Sequence, residues 1–599
     1  MILPGCQNAP ELQGSSGTDE SQVMDSEQET SALNETSMPA EPVPMRTLTA
    51  CGPDRMSRYF ENLHIYKTNL YDYRAREKQL PDFPAWQNLC TLMESRNISL
   101  SVQFWPEDQY DQELATRFAS LDDLPMFCYC AFSPDELYRL AEQGLILDIS
   151  SLLALSDGTA AGLCADKPWG QKTLSKAMAD GHMYQLSDCN YTEWDGTSAV
   201  YAKSKTVTIR YDWLEQYDLE MPSSLDEYME ALRCFNEMDP SGTGTWVEGN
   251  NVYASRITNW QDAQAGWFGL VCGTLGLDKA SGQILSPWKQ ATVADYLCFL
   301  QQMVSEGLIA EDVMEDTSTL RYRIAENRVG AMTSPLTYDG YEPLIESARD
   351  VNGTVTACYV GITPFETVEG THPLMFQESP IILSGGYVFT KALTDLQLGA
   401  DFLDVYYSDD SFSLINYGTE GVNFEWVDGK RRWLKIYSAV DGEMDGGYIP
   451  VDADNSRRFI YEKLGERTAF GQLLYSGELF PNMTIDSLNA QFDLLETYDE
   501  FYAWRQPKVE QAKALIRNWQ YYAALEISDY LSFPTKDELE RMDQTMDMVS
   551  AKSDAFLLAL ARGEYSVDDL PTIVKTLDEL GLSDLLEIYQ KRYNRFCGF

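Results

Sequence analysis

The chain has 599 residues, a length that suggests about three to five domains or one large two-lobed body. Hydrophobic residues make up 44% and aromatics 12%, enough for a sizeable core, which excludes wholesale disorder. Asp and Glu number 93 against 45 Lys and Arg, so the net charge is 45 − 93 = −48. Such a chain repels phosphate backbones, and nucleic acid is excluded as a partner. The three histidines, His64, His182 and His372, lie far apart, which argues against a histidine-rich metal site or a His-based triad.

The chain opens Met1-Ile2-Leu3-Pro4-Gly5-Cys6. Leu at −3, Gly at −1 and Cys at +1 resemble a bacterial lipobox, in which the cysteine is lipidated. Residues 1–5 then read as the remnant of a lipoprotein signal, and Cys6 as the lipidation site. Residues 7–50 are rich in Ser, Thr, Glu, Gln and Pro without hydrophobic periodicity, and residues 6–56 are assigned as a disordered acidic tether. A flexible coil of that length reaches roughly 35–40 Å on average. No run of apolar residues is long enough to form a membrane-spanning helix.

Strands and helices then alternate. Ile98, Leu100, Val102 and Phe104 share one face of a strand over Ile98–Trp105. A helix follows over Asp108–Ala119, then a strand over Leu124–Cys130 that carries Cys128 and Cys130 on one face as buried thiols. Ser133 caps a helix over Pro134–Gln143 that Gly144 ends. This order is the pattern of a parallel sheet covered by helices. Ser224 and Glu227 form a capping-box pattern before a stripe of Leu225, Tyr228, Met229, Leu232 and Phe235. A further strand–helix unit spans Ile381–Thr390 and Leu396–Tyr406, and the chain from about residue 508 is mostly helical, broken at Pro534 and Pro571.

Nucleotide, dinucleotide, zinc-protease and serine-hydrolase signatures are all missing from the sequence. The run from Asp239 to Glu248 spaces Asp239, Ser241, Thr243, Thr245 and Glu248 like the oxygen ligands of a calcium loop. Only Asp239 and Glu248 carry charge, so it reads as a glycine-rich turn that keeps the loop's shape, and no cofactor is expected. Aromatics beside polar side chains carry more information, because sugar rings offer C–H faces to aromatic planes and hydroxyls to carboxylates and amides. On that ground Tyr191, Trp194, Asp195, Trp260, Trp267 and Tyr338 are the candidate ligand-binding residues, with Trp246 and Trp426 beside them.

Several segments together resemble one family, the bacterial family 1 extracellular solute-binding proteins of ABC importers, in particular the large lipoproteins that handle oligosaccharides. They are Tyr138–Asp148, Asp180–Leu186, Ile209–Leu214 with Pro222 and Leu225–Tyr228, Glu306–Ile309, Ala325–Met332, and Leu414–Gly421 with Trp426–Lys430. The resemblance covers about residues 60–599. It implies an α/β, two-lobed, periplasmic-binding-protein-like fold of type II, each lobe a mixed sheet flanked by helices, with ligand held between them. Lobe one is expected over 57–190 and 386–435, and lobe two over 204–380 and 436–599. The crossovers are expected near Ser187–Lys205 and Pro380–Thr390. The implied protein is no enzyme: it is a lipid-anchored monomer on the outer face of the cytoplasmic membrane that delivers a carbohydrate to ABC permease subunits. Family members often carry an Asp/Asn-rich calcium loop where this chain has Ser241, Thr243 and Val247. Two other readings stay open. One is the same fold binding a peptide or other small polar solute, for which the positions of Lys203 and Arg210 discriminate. The other is a secreted glycosidase, which requires a carboxylate pair at roughly 5–10 Å.

Overall fold

The computed structural model describes residues 44–54, 84–106, 108–130, 132–157, 160, 181–185, 190–191, 193–194, 197–198, 205–237, 253–254, 260–309, 323–324, 328–335, 359–377, 381–382, 387–406, 408, 410–411, 420, 424–427, 430–433, 515, 522–524 and 527–598. In chain order the first elements are β1 (Arg46–Asp54), α1 (Pro84–Glu94), β2 (Ile98–Pro106), α2 (Tyr110–Ser120), β3 (Phe127–Tyr129), α3 (Pro134–Glu142) and α4 (Ile149–Leu153). Three short strands follow: β4 (Asn190–Tyr191), β5 (Glu193–Trp194) and β6 (Thr197–Ser198). Next come β7 (Lys205–Arg210), α5 (Tyr211–Gln216), α6 (Leu225–Glu237), β8 (Tyr253–Ala254), α7 (Ala263–Trp267), β9 (Gly276–Asp278), β10 (Gln283–Leu285) and α8 (Val293–Ser305). They are followed by β11 (Ala331–Pro335), β12 (Tyr359–Gly361), β13 (Met375–Gln377), β14 (Ile381–Ile382), β15 (Tyr387–Phe389) and α9 (Leu396–Tyr406). The last are β16 (Phe424–Val427), β17 (Lys430–Trp433), β18 (Tyr522–Ala524), α10 (Lys536–Ala561), α11 (Leu570–Glu579) and α12 (Leu582–Cys597).

The first sheet has the order β15-β3-β1-β2. β1 runs parallel to both β2 and β3, and β15 is antiparallel to β3. Its core gathers Leu48, Ile98, Phe127, Val388 and Phe402, with Leu89 and Met93 of α1 and Leu114 and Phe118 of α2. β1 corrects the expected extent of the tether: residues 46–54, assigned to it, form an interior strand of this sheet. Leu48, Ala50 and Cys51 are buried there, and Ala50 and Cys51 pair with Phe127 and Cys128. Residues 1–43, including Cys6, lie outside the described residues.

The second sheet runs β10-β9-β18-β13-β7-β11-β8, with β12 also on β7. β7 pairs antiparallel with β11, β12 and β13, and β18 lies parallel to β13. The central strand β7 buries both faces, as Val207 and Ile209 on one side and Thr206 and Thr208 on the other show. The threonine hydroxyls donate to the carbonyls of Ile362 and Met332, so neither is left unpaired. Helices α6, α8, α10, α11 and α12 supply the rest of this second core, through Leu232, Leu300, Leu557, Ile573 and Leu585.

Local chemistry sets the helix ends. Ser133 and Glu136 close a full capping box on α3, and Gly144 adopts a left-handed φ of 66° after it. On α6, Ser224 Oγ accepts from the Glu227 backbone, but the Glu227 carboxylate turns to the backbone and hydroxyl of Ser223 instead. Thr535 and Glu538 form the same box on α10, and Pro571 sits in the first turn of α11.

Candidate functional site: the junction between the two sheets

Two backbone paths join the sheets where the crossovers were expected. Ile381 and Ile382 of β14 pair antiparallel with Tyr191 and Asn190 of β4. β4 lies between Gln185, on the first sheet, and Lys205, which opens the central strand of the second. β14 lies between Gln377 of the second sheet and Tyr387 of the first. Gln185 Nε2 donates to the Cys130 carbonyl (3.3 Å), which fixes the start of the outgoing path at the carboxyl end of β3.

A third connection was not foreseen. Phe533 packs on the first core, edge-on to Tyr138 of α3 (5.6 Å between centroids), and Tyr138 Oη donates to the Pro534 carbonyl (2.9 Å). Lys536 pairs with Glu142 of α3, its Nζ 5.4 Å from the Tyr138 ring centre. One residue before this strap, Ser532 is held to the second core by Arg592 Nε (2.9 Å to its carbonyl) and Arg595 Nε (3.1 Å to its hydroxyl).

Strand polarity locates the rims that face the junction. β7 begins at Lys205 just after the crossover, so its amino end lies at the junction. Its antiparallel neighbours β11 and β13 therefore bring their carboxyl ends there, as the pairs Pro335–Lys205 and Phe376–Lys205 require. In the first sheet the carboxyl ends of β1, β2 and β3 occupy that side. Ligands of open α/β sheets bind beyond such carboxyl ends.

Under the rim of the second sheet lies a buried carboxylate, Asp262, the N-cap of α7. It accepts from Tyr253 Oη (2.5 Å), Tyr296 Oη (3.0 Å), Thr333 Oγ1 (3.2 Å) and the Gln264 backbone (3.0 Å). Burial raises its pKa above the usual carboxylate range, against the lowering effect of these bonds, and burial likewise pushes Tyr253, Tyr296 and Tyr228 well up. The network ties the end of β8, the middle of β11 and the start of α7 into one rigid support. Two residues before Asp262, Trp260 takes a φ of 53°, a conformation uncommon for a bulky side chain.

The sequence-predicted residues fall in different places. Trp260 and Trp267 are 1% and 0% exposed, so neither offers a face to a ligand in this structure. Trp260 sits edge-on to Trp288 (5.1 Å), and Trp267 packs on Tyr228 (5.0 Å) and Phe365 (4.5 Å). The polar residues around them had suggested exposure; α6 and α8 cover them instead. Tyr191 stands on the junction ladder, and Trp194 pairs with Thr197 in the β5–β6 hairpin. Trp426 is 45% exposed, on β16 opposite Arg431 of β17. Asp195, Tyr338 and Trp246 lie outside the described residues, as do the loop residues Asp239, Ser241, Thr243 and Glu248. Among the described residues no cluster of three metal-ligating side chains occurs.

Trp105 escaped the sequence reading. It is half-buried near the carboxyl end of β2, with the Arg117 guanidinium 5.5 Å from its ring centre and Tyr110 packed at 5.6 Å. A strand that ends Trp-Pro beside a helix N-terminus was the available signal. Arg210 is fully buried at the end of β7 away from the junction. It makes two bonds to Asp212 (2.8 and 2.6 Å) and stacks 4.2 Å over Trp213. Its charge is thus neutralised within the second lobe. Lys203 lies outside the described residues.

These features define an α/β protein with two mixed sheets, the fold of the type II solute-binding proteins. In keeping with it, the structure superposes on the HMO-binding, ABC-transporter-associated solute-binding protein of Bifidobacterium longum infantis with a TM-score of 0.62, at 15% identity over 92% of this chain and 99% of that one. It also matches the substrate-binding protein FusA of Streptococcus pneumoniae, solved with kestose, with a TM-score of 0.56, at 17% identity over 93% of this chain and all of that one. In sequence, FusA, a fructooligosaccharide ABC transporter substrate-binding protein, is 20% identical over 474 residues, 77% of this chain and 78% of its own length. Lipoprotein LipO of Bacillus subtilis is 25% identical over 269 residues, 43% of this chain, and the match spans only half of LipO's length. No family model matches the sequence. The relative that spans most of the chain, like both structural neighbours, is a substrate-binding protein of ABC transporters.

Proposed function

We propose that this protein is the extracellular solute-binding component of an ABC importer, which captures an oligosaccharide between its two sheets and hands it to permease subunits. The observation that carries the reading is the likeness to FusA across most of both chains, together with a junction formed by two strands of only two residues each. A narrow junction lets two separately packed cores rotate, and a ligand that touches both stabilises the closed arrangement. Arg210 lies away from the junction and is paired with Asp212, so it offers no charge to an anionic guest. The reaction class is reversible binding without bond cleavage. Calcium is not part of the proposal.

Anchoring is proposed through a lipid on Cys6, supported by the Leu-Pro-Gly-Cys run and by the name of LipO, and the body is taken to act as a monomer. The test is a thermal-shift and calorimetry screen of the purified chain against fructo-oligosaccharides, human-milk-type glycans and N-glycan fragments, with short peptides as the comparison. Saturable stabilisation by a glycan, with the glycan recovered intact, is the expected result. Stabilisation by peptides alone, or by nothing in the panel, overturns the carbohydrate assignment.

A further inference from the structure

We propose that Cys51 and Cys128 are a dithiol pair that closes to a disulfide, linking β1 to β3 in the middle of the first sheet. The two residues are direct register partners on adjacent parallel strands. In register, their side chains leave the same face of the sheet, and neighbouring strands lie about 4.8 Å apart, inside the Cα separations of about 4.4–6.8 Å that disulfides span. Both are buried, at 1% and 0% exposure, and both stand as thiols in the structure. Cys51 Sγ lies 3.4 Å from Tyr110 Oη, which itself donates to the Tyr129 carbonyl (2.8 Å).

Among the described cysteines, no other two are paired in strand register. Cys130, just past the end of β3, lies two residues further along, about 6.4–6.8 Å from Cys128, at the far edge of the disulfide range, and farther still from Cys51, whereas the register pair sits near 4.8 Å. Its sulfur is approached instead by Gln185 Nε2 at 3.5 Å. The remaining described cysteines, Cys90, Cys234, Cys272, Cys298 and Cys597, lie on elements that are not strand partners of one another.

The reaction is thiol–disulfide exchange with a small-molecule disulfide. The thiolate of one cysteine attacks the oxidant and releases one of its thiols. The second cysteine then attacks the mixed disulfide and releases the other. Two protein thiols are oxidised, the oxidant's disulfide is reduced to two thiols, and the protons lost by Cys51 and Cys128 end on those leaving thiols. The hydrogen bond with Cys51, and burial after it, push the Cys128 thiol well above its usual range, so exchange is slow while the sheet is closed. Closure therefore occurs as β1 docks, in an oxidising compartment. The consequence is mechanical. β1 is the first described element, and the bond ties it covalently to the strand beside it.

The test equilibrates the full chain with oxidised and reduced glutathione in denaturant just below the unfolding transition. Free thiols are then alkylated and the peptides mapped. The expected result is a linked Cys51–Cys128 peptide, with these two protected and the other cysteines alkylated, and a thermal midpoint several degrees lower after reduction. C128S abolishes the linked peptide and exposes Cys51 to alkylation. Recovery of Cys51 and Cys128 as separately alkylated residues in the oxidised wild type overturns the proposal. So does a glutathione adduct on either one, or a bond to Cys130.

Discussion

Asp262 is the residue whose replacement separates a charge effect from a scaffold effect. Its bonds to described residues fall unequally on its two oxygens: Oδ1 takes Tyr253, Thr333 and the Gln264 backbone, and Oδ2 takes Tyr296. In Asp262→Asn the amide oxygen keeps the three bonds on the first side. The amide nitrogen replaces Oδ2, and the Tyr296 hydroxyl can rotate to accept from it, so no partner is lost. In Asp262→Ala, Tyr253 retains Thr333 at 2.8 Å, but Tyr296 and the Gln264 amide are left buried without that partner. At about 1–3 kcal/mol for each orphaned group, the alanine variant loses about 2–6 kcal/mol. The pH dependence supplies a second readout. Because burial holds the folded pKa of Asp262 above its unfolded value, its contribution is fully present below the unfolded pKa, near 4, and is lost as pH rises through the folded one. The asparagine variant does not titrate, so it gains on the wild type across that window, by about 1.4 kcal/mol for each pH unit between the two values. Denaturant unfolding followed by tryptophan fluorescence, from about pH 4 to about pH 8, measures both effects. Equal losses in the two variants, or a pH-independent difference between wild type and Asp262→Asn, refute the reasoning.

Four further outcomes follow from the packing. Tyr138→Phe removes the buried bond to the Pro534 carbonyl and is expected to lower stability by about 1 kcal/mol, a loss that denaturant unfolding measures. Trp426→Ala changes stability by less than about 0.5 kcal/mol because the ring is exposed. Trp260→Ala, by contrast, costs about 3–5 kcal/mol through the cavity it leaves against Trp288 and Tyr296, both measured by denaturant unfolding. Removing residues 1–43 leaves the melting transition of the body intact, whereas removing 1–54 takes out an interior strand of the first sheet and abolishes cooperative unfolding of that lobe, read by near-ultraviolet circular dichroism.

Much of the architecture was legible in local pattern. The period-two run of β2, the helical stripe of α6 and the Ser133–Glu136 box each depend on neighbours in sequence, so composition and spacing suffice to find them. β1 was missed for the converse reason. A central parallel strand usually reads as a continuous apolar run, but Arg46-Thr-Leu-Thr-Ala-Cys-Gly-Pro follows a polar segment and alternates weakly. Its strand character comes from partners 50 and more residues away. The tryptophans failed in the opposite direction. Gln261, Asp262 and Gln264 around Trp260 and Trp267 look like a wet surface, yet Asp262 and Gln264 are buried too: Asp262 accepts from the Tyr253 and Tyr296 hydroxyls, and Gln264 Nε2 donates to Tyr228 Oη. Polar neighbours signal exposure only when no hydroxyl network is available to take them inside.

The strap through Ser532–Lys536 changes how the junction must work. Two ladder strands alone would leave the lobes free to twist as well as to open. A third contact displaced along the chain, anchored to one core by Arg592 and Arg595 and to the other by Phe533 and Tyr138, removes some of that freedom. It leaves fewer rotations that strain none of the connections, which favours hinge closure over twisting. The strap's own components differ in strength. Tyr138 is buried and Phe533 half-buried in their packing, while the Lys536–Glu142 pair is exposed and is therefore weak and screened by salt. Opening should accordingly respond little to ionic strength, since the Tyr138–Phe533 contact is apolar and the charged pair at its edge contributes little.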